Sequence, residues 1–224
     1  MLLQSFRQWL RRQPRYRLAS LLTLLFGVLL PFQIFGSLAE DVWEREGGFA
    51  WDVPILLAIH QTARPQLDTM AIALTKLGVF WGVFPLALAF ACFLFLKHYW
   101  QRFTYFLIVL SGSIIINRTA KLLLHRVRPH LWQSPAPETD YGFPSGHAMS
   151  SMTLVVALLI LTWDTRWRLL VLLLGVCFVL VIGWTRVYLG VHYPSDILAG
   201  WTVSVAWAVG VSLLMKPLSR KPQP

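Results

Sequence analysis

The stretch Arg186-x5-His192-x3-Asp196 places a guanidinium, an imidazole and a carboxylate close together in an otherwise apolar region. Charges are costly beside membrane segments, so ionisable residues there point to function. Pro194 fits the first turn of a helix, where its missing N–H would lack a partner anyway. Asp196 then falls in that first turn, at the positive end of the helix dipole. From there it can reach back toward His192, as an acidic residue does in a capping box. A carboxylate on one imidazole nitrogen sets the tautomer and leaves the other nitrogen free to attack. Taken alone, the stretch reads equally well as a helix cap with a passing histidine.

Two further clusters change that balance. Lys121 and Arg128 follow an apolar run, and Pro144-Ser145-Gly146-His147 opens the next one. Arg128 and Arg186 can offer paired N–H donors to a tetrahedral anion, and Lys121 a point charge. Ser145 is an expected N-cap, Gly146 allows close backbone approach, and a helix N-terminus favours phosphate. His147 has no carboxylate neighbour in sequence, which favours proton donation over attack. Fixed cations can stabilise a transferring phosphoryl group as a metal does elsewhere. No Asp/Glu or Cys/His cluster has metal-ligand spacing, so neither a metal nor another cofactor is expected.

The elements that must position these residues are apolar helices. The 224 residues are 56% hydrophobic and only 13% charged, with a mean hydropathy of +0.58. The net charge of +10 is scattered between apolar runs, which favours membrane topology over a nucleic-acid surface. Cys92 and Cys177 lie inside apolar runs and read as packing residues. Six spans are expected, near 18–38, 79–96, 103–124, 145–163, 169–189 and 196–215. Short interfacial helices are expected at 53–63 and 66–77, ending at Gly78. The fold class is therefore all-α, an integral membrane six-helix bundle. A basic cytoplasmic segment, 1–17, precedes the membrane domain, 18–215, and a tail, 216–224, follows it. Phe6, Trp9 and Leu10 could anchor the first segment as an amphipathic surface helix. The first apolar run is too long for a cleavable signal and lacks a convincing cleavage site.

Charge counting orients the bundle. Twelve of the twenty Lys and Arg residues fall on the side of the two ends, with Asp164 the one acid there. Both ends are therefore expected in the cytoplasm. The end of span 3, the start of span 4 and the turn between spans 5 and 6 then share the opposite side. Three cations, two histidines and a carboxylate converge there into an anion pocket with a nucleophile and a proton donor. The basic run Arg118–Arg128 violates the charge rule on that side, as expected if it serves another purpose.

Lys121-x6-Arg128-Pro129, Pro144-Ser145-Gly146-His147 and Arg186-x5-His192-x3-Asp196 together resemble the three motifs of the type 2 phosphatidic acid phosphatase family. That superfamily also holds vanadium haloperoxidases. The resemblance spans about residues 50–215. It implies a phosphohistidine formed on His192, oriented by Asp196, with His147 as general acid and then water activator. It also implies a phosphate cradle of Lys121, Arg128, Ser145, Gly146 and Arg186. Thr185 stands where the family usually has Ser. The implied activity is metal-independent hydrolysis of a lipid phosphate or diphosphate, such as phosphatidic acid, phosphatidylglycerophosphate or undecaprenyl diphosphate. The implied partners are that lipid and the bilayer. A vanadate-dependent haloperoxidase is disfavoured, because those relatives are usually soluble. A non-catalytic phosphate-binding protein would need the cradle but not His147, His192 and Asp196 together.

Overall fold

The computed structural model describes residues 15–44 and 49–217, and every regular element among them is helical. The first apolar run forms α1 (Arg15–Leu24), a π-helical turn (Leu25–Leu29) and α2 (Leu30–Glu44) without a break. Pro31 can give no N–H to the turn before it, and the wider π turn lies just there. The helix runs six residues past the expected end at 38. No Gly or Pro interrupts that stretch, and Leu38 and Val42 find a buried seat beside Phe143 and Ala199. The rest of segment 1–17, with its expected surface helix, lies outside the described residues, as do Arg220 and Lys221 of the tail.

Two short helices follow, α3 (Asp52–His60) and α4 (Pro65–Leu77), with Pro65 in the first turn and Gly78 as C-cap. Then come α5 (Val83–Leu96), α6 (Trp100–Leu124), α7 (Gly146–Thr162), α8 (Arg168–Tyr188) and α9 (Pro194–Met215). The stretches Leu18–Glu44, Trp100–Leu124, Arg168–Tyr188 and Pro194–Met215 are long and apolar enough to cross a membrane. The other two expected spans are shorter, α5 with 14 residues and α7 with 17. A hydrocarbon core calls for about 20. In α5 the difference arises because residues 79–82 form a turn after Gly78 instead of the first helical turn.

Helix α7 packs against α5, α6, α8 and α9, and α9 in turn against the N-terminal helix. The central cluster joins Tyr105, Phe106 and Val109 of α6 to Leu154 and Ala157 of α7 and Ala208 of α9. Small residues at these contacts let backbones approach, the usual basis of helix packing in lipid. The polarity is inverted relative to a water-soluble domain. Phe26, Phe32, Phe84, Ile114 and Leu173 are exposed, whereas Asp52, Lys121, Arg126, Arg128, Arg186, His192 and Asp196 are buried. This architecture is a membrane helical bundle with its charges gathered inside one end.

Candidate active site

Helix α6 stops at His125, a left-handed C-cap with φ 46° whose N–H reaches Lys121 O. The chain then has no regular structure until Ser145. Alternation in the extended start of that segment turns Arg126 and Arg128 inward, each 7% exposed, and Val127 outward at 66%. Asn117 on α6 donates to Pro144 O (3.0 Å), tying α6 to the turn that starts α7. Ser145 is the N-cap of α7: its hydroxyl is fully buried and accepts from Ala148 N. On the opposite wall, Gly190 takes φ +68° between α8 and α9, and its missing Cβ leaves room for the Trp132 ring.

His192 sits between those two helices, 1% exposed. Its Nδ1 lies 3.2 Å from Asp196 Oδ2, and its Nε2 lies 2.9 Å from Arg128 Nη1. The same Asp196 oxygen accepts from Tyr193 N (2.9 Å), the reach-back that the Pro194 turn makes possible. A carboxylate at Nδ1 assigns the proton there and leaves the Nε2 lone pair toward Arg128. Burial, and then the charges of Arg128 and Arg186, push the imidazole well below its usual range. His192 is therefore a neutral base whose available nitrogen faces a cation.

The cradle is built from paired charges. Arg128 also donates to Val191 O (2.6 Å) and pairs through Nη2 with Glu138 Oε2 (2.7 Å). The other Glu138 oxygen pairs with Arg186, whose Nη1 donates to Thr75 Oγ1 (2.7 Å). Arg186 Nε is buried without a hydrogen-bond partner. Lys121 donates to Asp140 Oδ2 (3.0 Å) and to Tyr141 O, and Arg118 reaches the same Asp140 oxygen. Glu138 thus bridges the two arginines expected to hold phosphate. Burial alone would raise its carboxyl, but the Arg186 and Arg128 guanidiniums outweigh that and hold it at about 2. Among the described residues, no three His, Cys, Asp or Glu side chains gather as a metal site.

A cleft of about 380 Å³ opens onto this cluster. One end is polar, lined by Lys121, Arg128, Glu138, Asp140, Gly146, His147 and His192; the other is mainly apolar, lined by Val79, Val83, Phe84, Ala87, Leu110 and Ile114, with the Ser113 and Thr153 hydroxyls paired to each other (2.9 Å). His147, half-buried at the start of α7, leans on Gly78, where an added Cβ would come 3.0 Å from His147 Cδ2 and 2.9 Å from Ile182. Arg186, Asp196 and Ser145 stand behind the cleft wall rather than on it.

The family model of the PAP2 superfamily matches residues 102–220, more than half of the chain. The chain belongs to the PAP2 superfamily. Among curated PAP2-type relatives, an undecaprenyl-diphosphatase from Sulfolobus acidocaldarius is 33% identical over 94 residues, 40% of this chain and 43% of that one. Phosphatidylglycerophosphatase B from Bacillus subtilis is 28% identical over 151 residues, 63% of this chain and 72% of that one. The chain thus spans less than half the length of the first relative. The PAP2 fold itself is shared with a crystal structure of a transmembrane phosphatidylglycerolphosphate phosphatase from Bacillus subtilis. That comparison has a TM-score of 0.75 at 24% identity and covers 87% of this chain and 98% of that one.

Within this PAP2 chain, all eight residues singled out from sequence fall at one end of the bundle, though not all on the cleft surface. Thr185 is fully buried and turns its hydroxyl to Ile182 O (2.7 Å). His125 packs edge-on against Tyr141 instead of entering the cleft. Four acids and polar groups escaped the sequence reading: Glu138, Asp140, Asp52 and Thr75. The available signal was charge imbalance, since a buried basic cluster needs carboxylates from somewhere. Spacing could not say which ones.

Proposed function

We propose that this protein hydrolyses a phosphate or diphosphate ester of a membrane lipid. The observation that carries the reading is the polarity of this cleft: two histidines and cations at one end, an apolar trough between α5 and α6 at the other. A head group fits the first and an acyl or prenyl chain the second. The names of the relatives support phosphatidylglycerophosphate and undecaprenyl diphosphate as substrates, with phosphatidic acid of the same chemical class.

In the proposed reaction the substrate phosphoryl group displaces Glu138 from Arg128 and Arg186. His192 Nε2 attacks phosphorus in line, and Asp196 stabilises the cation that develops on the ring. His147 protonates the leaving oxygen, then takes a proton from water as the phosphohistidine is hydrolysed. Lys121, Arg128 and Arg186, with the α7 N-terminus at Ser145 and Gly146, neutralise the equatorial oxygens. All six apolar helices cross the bilayer in this reading, the two short ones between longer neighbours, as one membrane domain, 18–215. The ends face the cytoplasm and the cleft faces the other side.

Phosphoenzyme trapping tests the assignment. An aryl phosphate needs little help from an acid, so with ³²P-labelled substrate His147→Ala accumulates an alkali-stable adduct. Wild type shows it transiently and His192→Ala not at all. Turnover of a lipid phosphate by the wild type persists in excess EDTA and is inhibited by vanadate, because side-chain cations hold the anion. Label in His192→Ala would exchange the histidines' roles, and Mg²⁺-restored activity after chelation would overturn the cation cradle.

A further inference from the structure

Behind the nucleophile lies a second charge cluster whose own side chains do not line the cleft. Arg126 spreads its guanidinium over three acceptors: Asp52 Oδ2 (2.7 Å), Ser195 Oγ (2.7 Å) and Asp196 Oδ1. Asp52, fully buried at the start of α3, accepts from Ser195 N (2.9 Å) and Ser195 Oγ (2.6 Å). It thereby caps the first turn of α9 from a different helix. The Arg126 guanidinium also lies 4.4 Å from the centre of the Tyr193 ring. Asp196 is consequently held on both oxygens, one by Arg126 and the other by His192 and Tyr193 N.

We infer that Arg126, braced by Asp52 and Ser195, is the positioning residue that locks Asp196, and through it His192, in the attacking geometry. Without Arg126, two buried carboxylates would flank Ser195 with no cation between them, and one would take up a proton or turn away. Either change releases the His192 ring from its orientation. Substrate binding is untouched, because Arg126 and Asp52 do not line the cleft. Asp52 lies outside the residues matched by the family model, so α3 contributes this part of the brace from beyond the matched region.

The inference rests on His192 being the nucleophile, and the experiment separates the two claims. Arg126→Gln, Arg126→Lys and Asp52→Asn are made in the full chain, and kcat, the vanadate inhibition constant and the rate of phosphohistidine formation are measured with an aryl phosphate. Misplacing a reacting group by about 1 Å, through a change remote from the chemistry, costs about 100-fold in rate. Arg126→Gln therefore loses about 100-fold in kcat and in adduct formation, with vanadate inhibition changed less than about threefold. Arg126→Lys, which keeps the charge but not the fork, falls between, and Asp52→Asn, nearly isosteric, loses about tenfold. If vanadate affinity collapses in step with kcat, the cluster is a general brace for the cradle and the inference fails. It also fails if the variants keep wild-type kcat while wild type forms phosphohistidine. A wild type that forms no phosphohistidine removes the nucleophile assignment itself. Should Arg126→Gln not fold, Arg126→Lys and Asp52→Asn carry the same comparison.

Discussion

Glu138 occupies the seat that the proposed reaction assigns to phosphate, with an oxygen on each of Arg128 and Arg186. It is 31% exposed, so water and an incoming anion can reach it. A carboxylate held at about 2 stays ionised through the working range, so only another anion can displace it. Glu138→Gln removes that competitor while keeping its shape, and vanadate should bind about tenfold tighter, since one close charge pair in a half-exposed site is worth about 1.4 kcal/mol. Equal or weaker inhibition would mean that Glu138 helps to hold the anion. His192 has a complementary pH signature. Its folded-state pKa lies below the unfolded value of about 6.5, so the ring stays neutral as pH falls through that value. The kcat/KM for adduct formation in His147→Ala, corrected for substrate ionisation, should show no acid limb near pH 6.5. For stability the sign is opposite to that of a paired histidine: the unfolded chain binds the extra proton, so this contribution is lost below about pH 6.5.

At the scale of elements, the site depends on how α4 ends. Gly78 closes α4 against both α7 and α8, and a methyl there would press on His147 and Ile182. Gly78→Ala should lower kcat about tenfold through a shifted His147, because small displacements of a reacting group are expensive. Gly36→Ala in α2, where nothing lies within 4 Å, is the matched control and should leave activity unchanged. Equal activity in both would show that the α4–α7 contact yields easily. The helix boundaries were largely readable: Ser145 and Pro194 are strong start signals, and α7 and α9 begin there. The lengths were less so. Continued apolar character cannot distinguish a turn at 79–82 from a helix, nor tell where α2 stops when no breaker residue intervenes.

Over the whole molecule, the basic run Arg118–Arg128 is answered by acids from distant parts of the chain. Arg118, Lys121, Arg126, Arg128 and Arg186 face Asp52, Glu138, Asp140 and Asp196 in two adjoining clusters, five formal positive charges against four negative. Each of these cations has a carboxylate partner, so the basic run is accounted for by pairing within the site. In the proposed orientation, a cysteine at the exposed Gln133, with Cys92 and Cys177 replaced by Ala, should react with a membrane-impermeant thiol reagent added to intact cells. Reaction only after lysis would reverse the proposed orientation.

The amino-acid sequence by itself determined the helical membrane class, the order of the elements and the three motifs, because these rest on local hydropathy, helix-start chemistry and spacing along one chain. It also placed His192 and Asp196 within reach, four residues apart across a helix start. Only the tertiary structure decided which carboxylate answers which cation. Asp52 and Arg126 are 74 residues apart and Glu138 and Arg186 48 apart, and ion pairing at such distances has no periodicity to read. The tertiary structure also turned Ser145, Thr185 and Arg186 away from the cleft surface, because packing of α7 against α8 and α9 settles which face of each helix is left open.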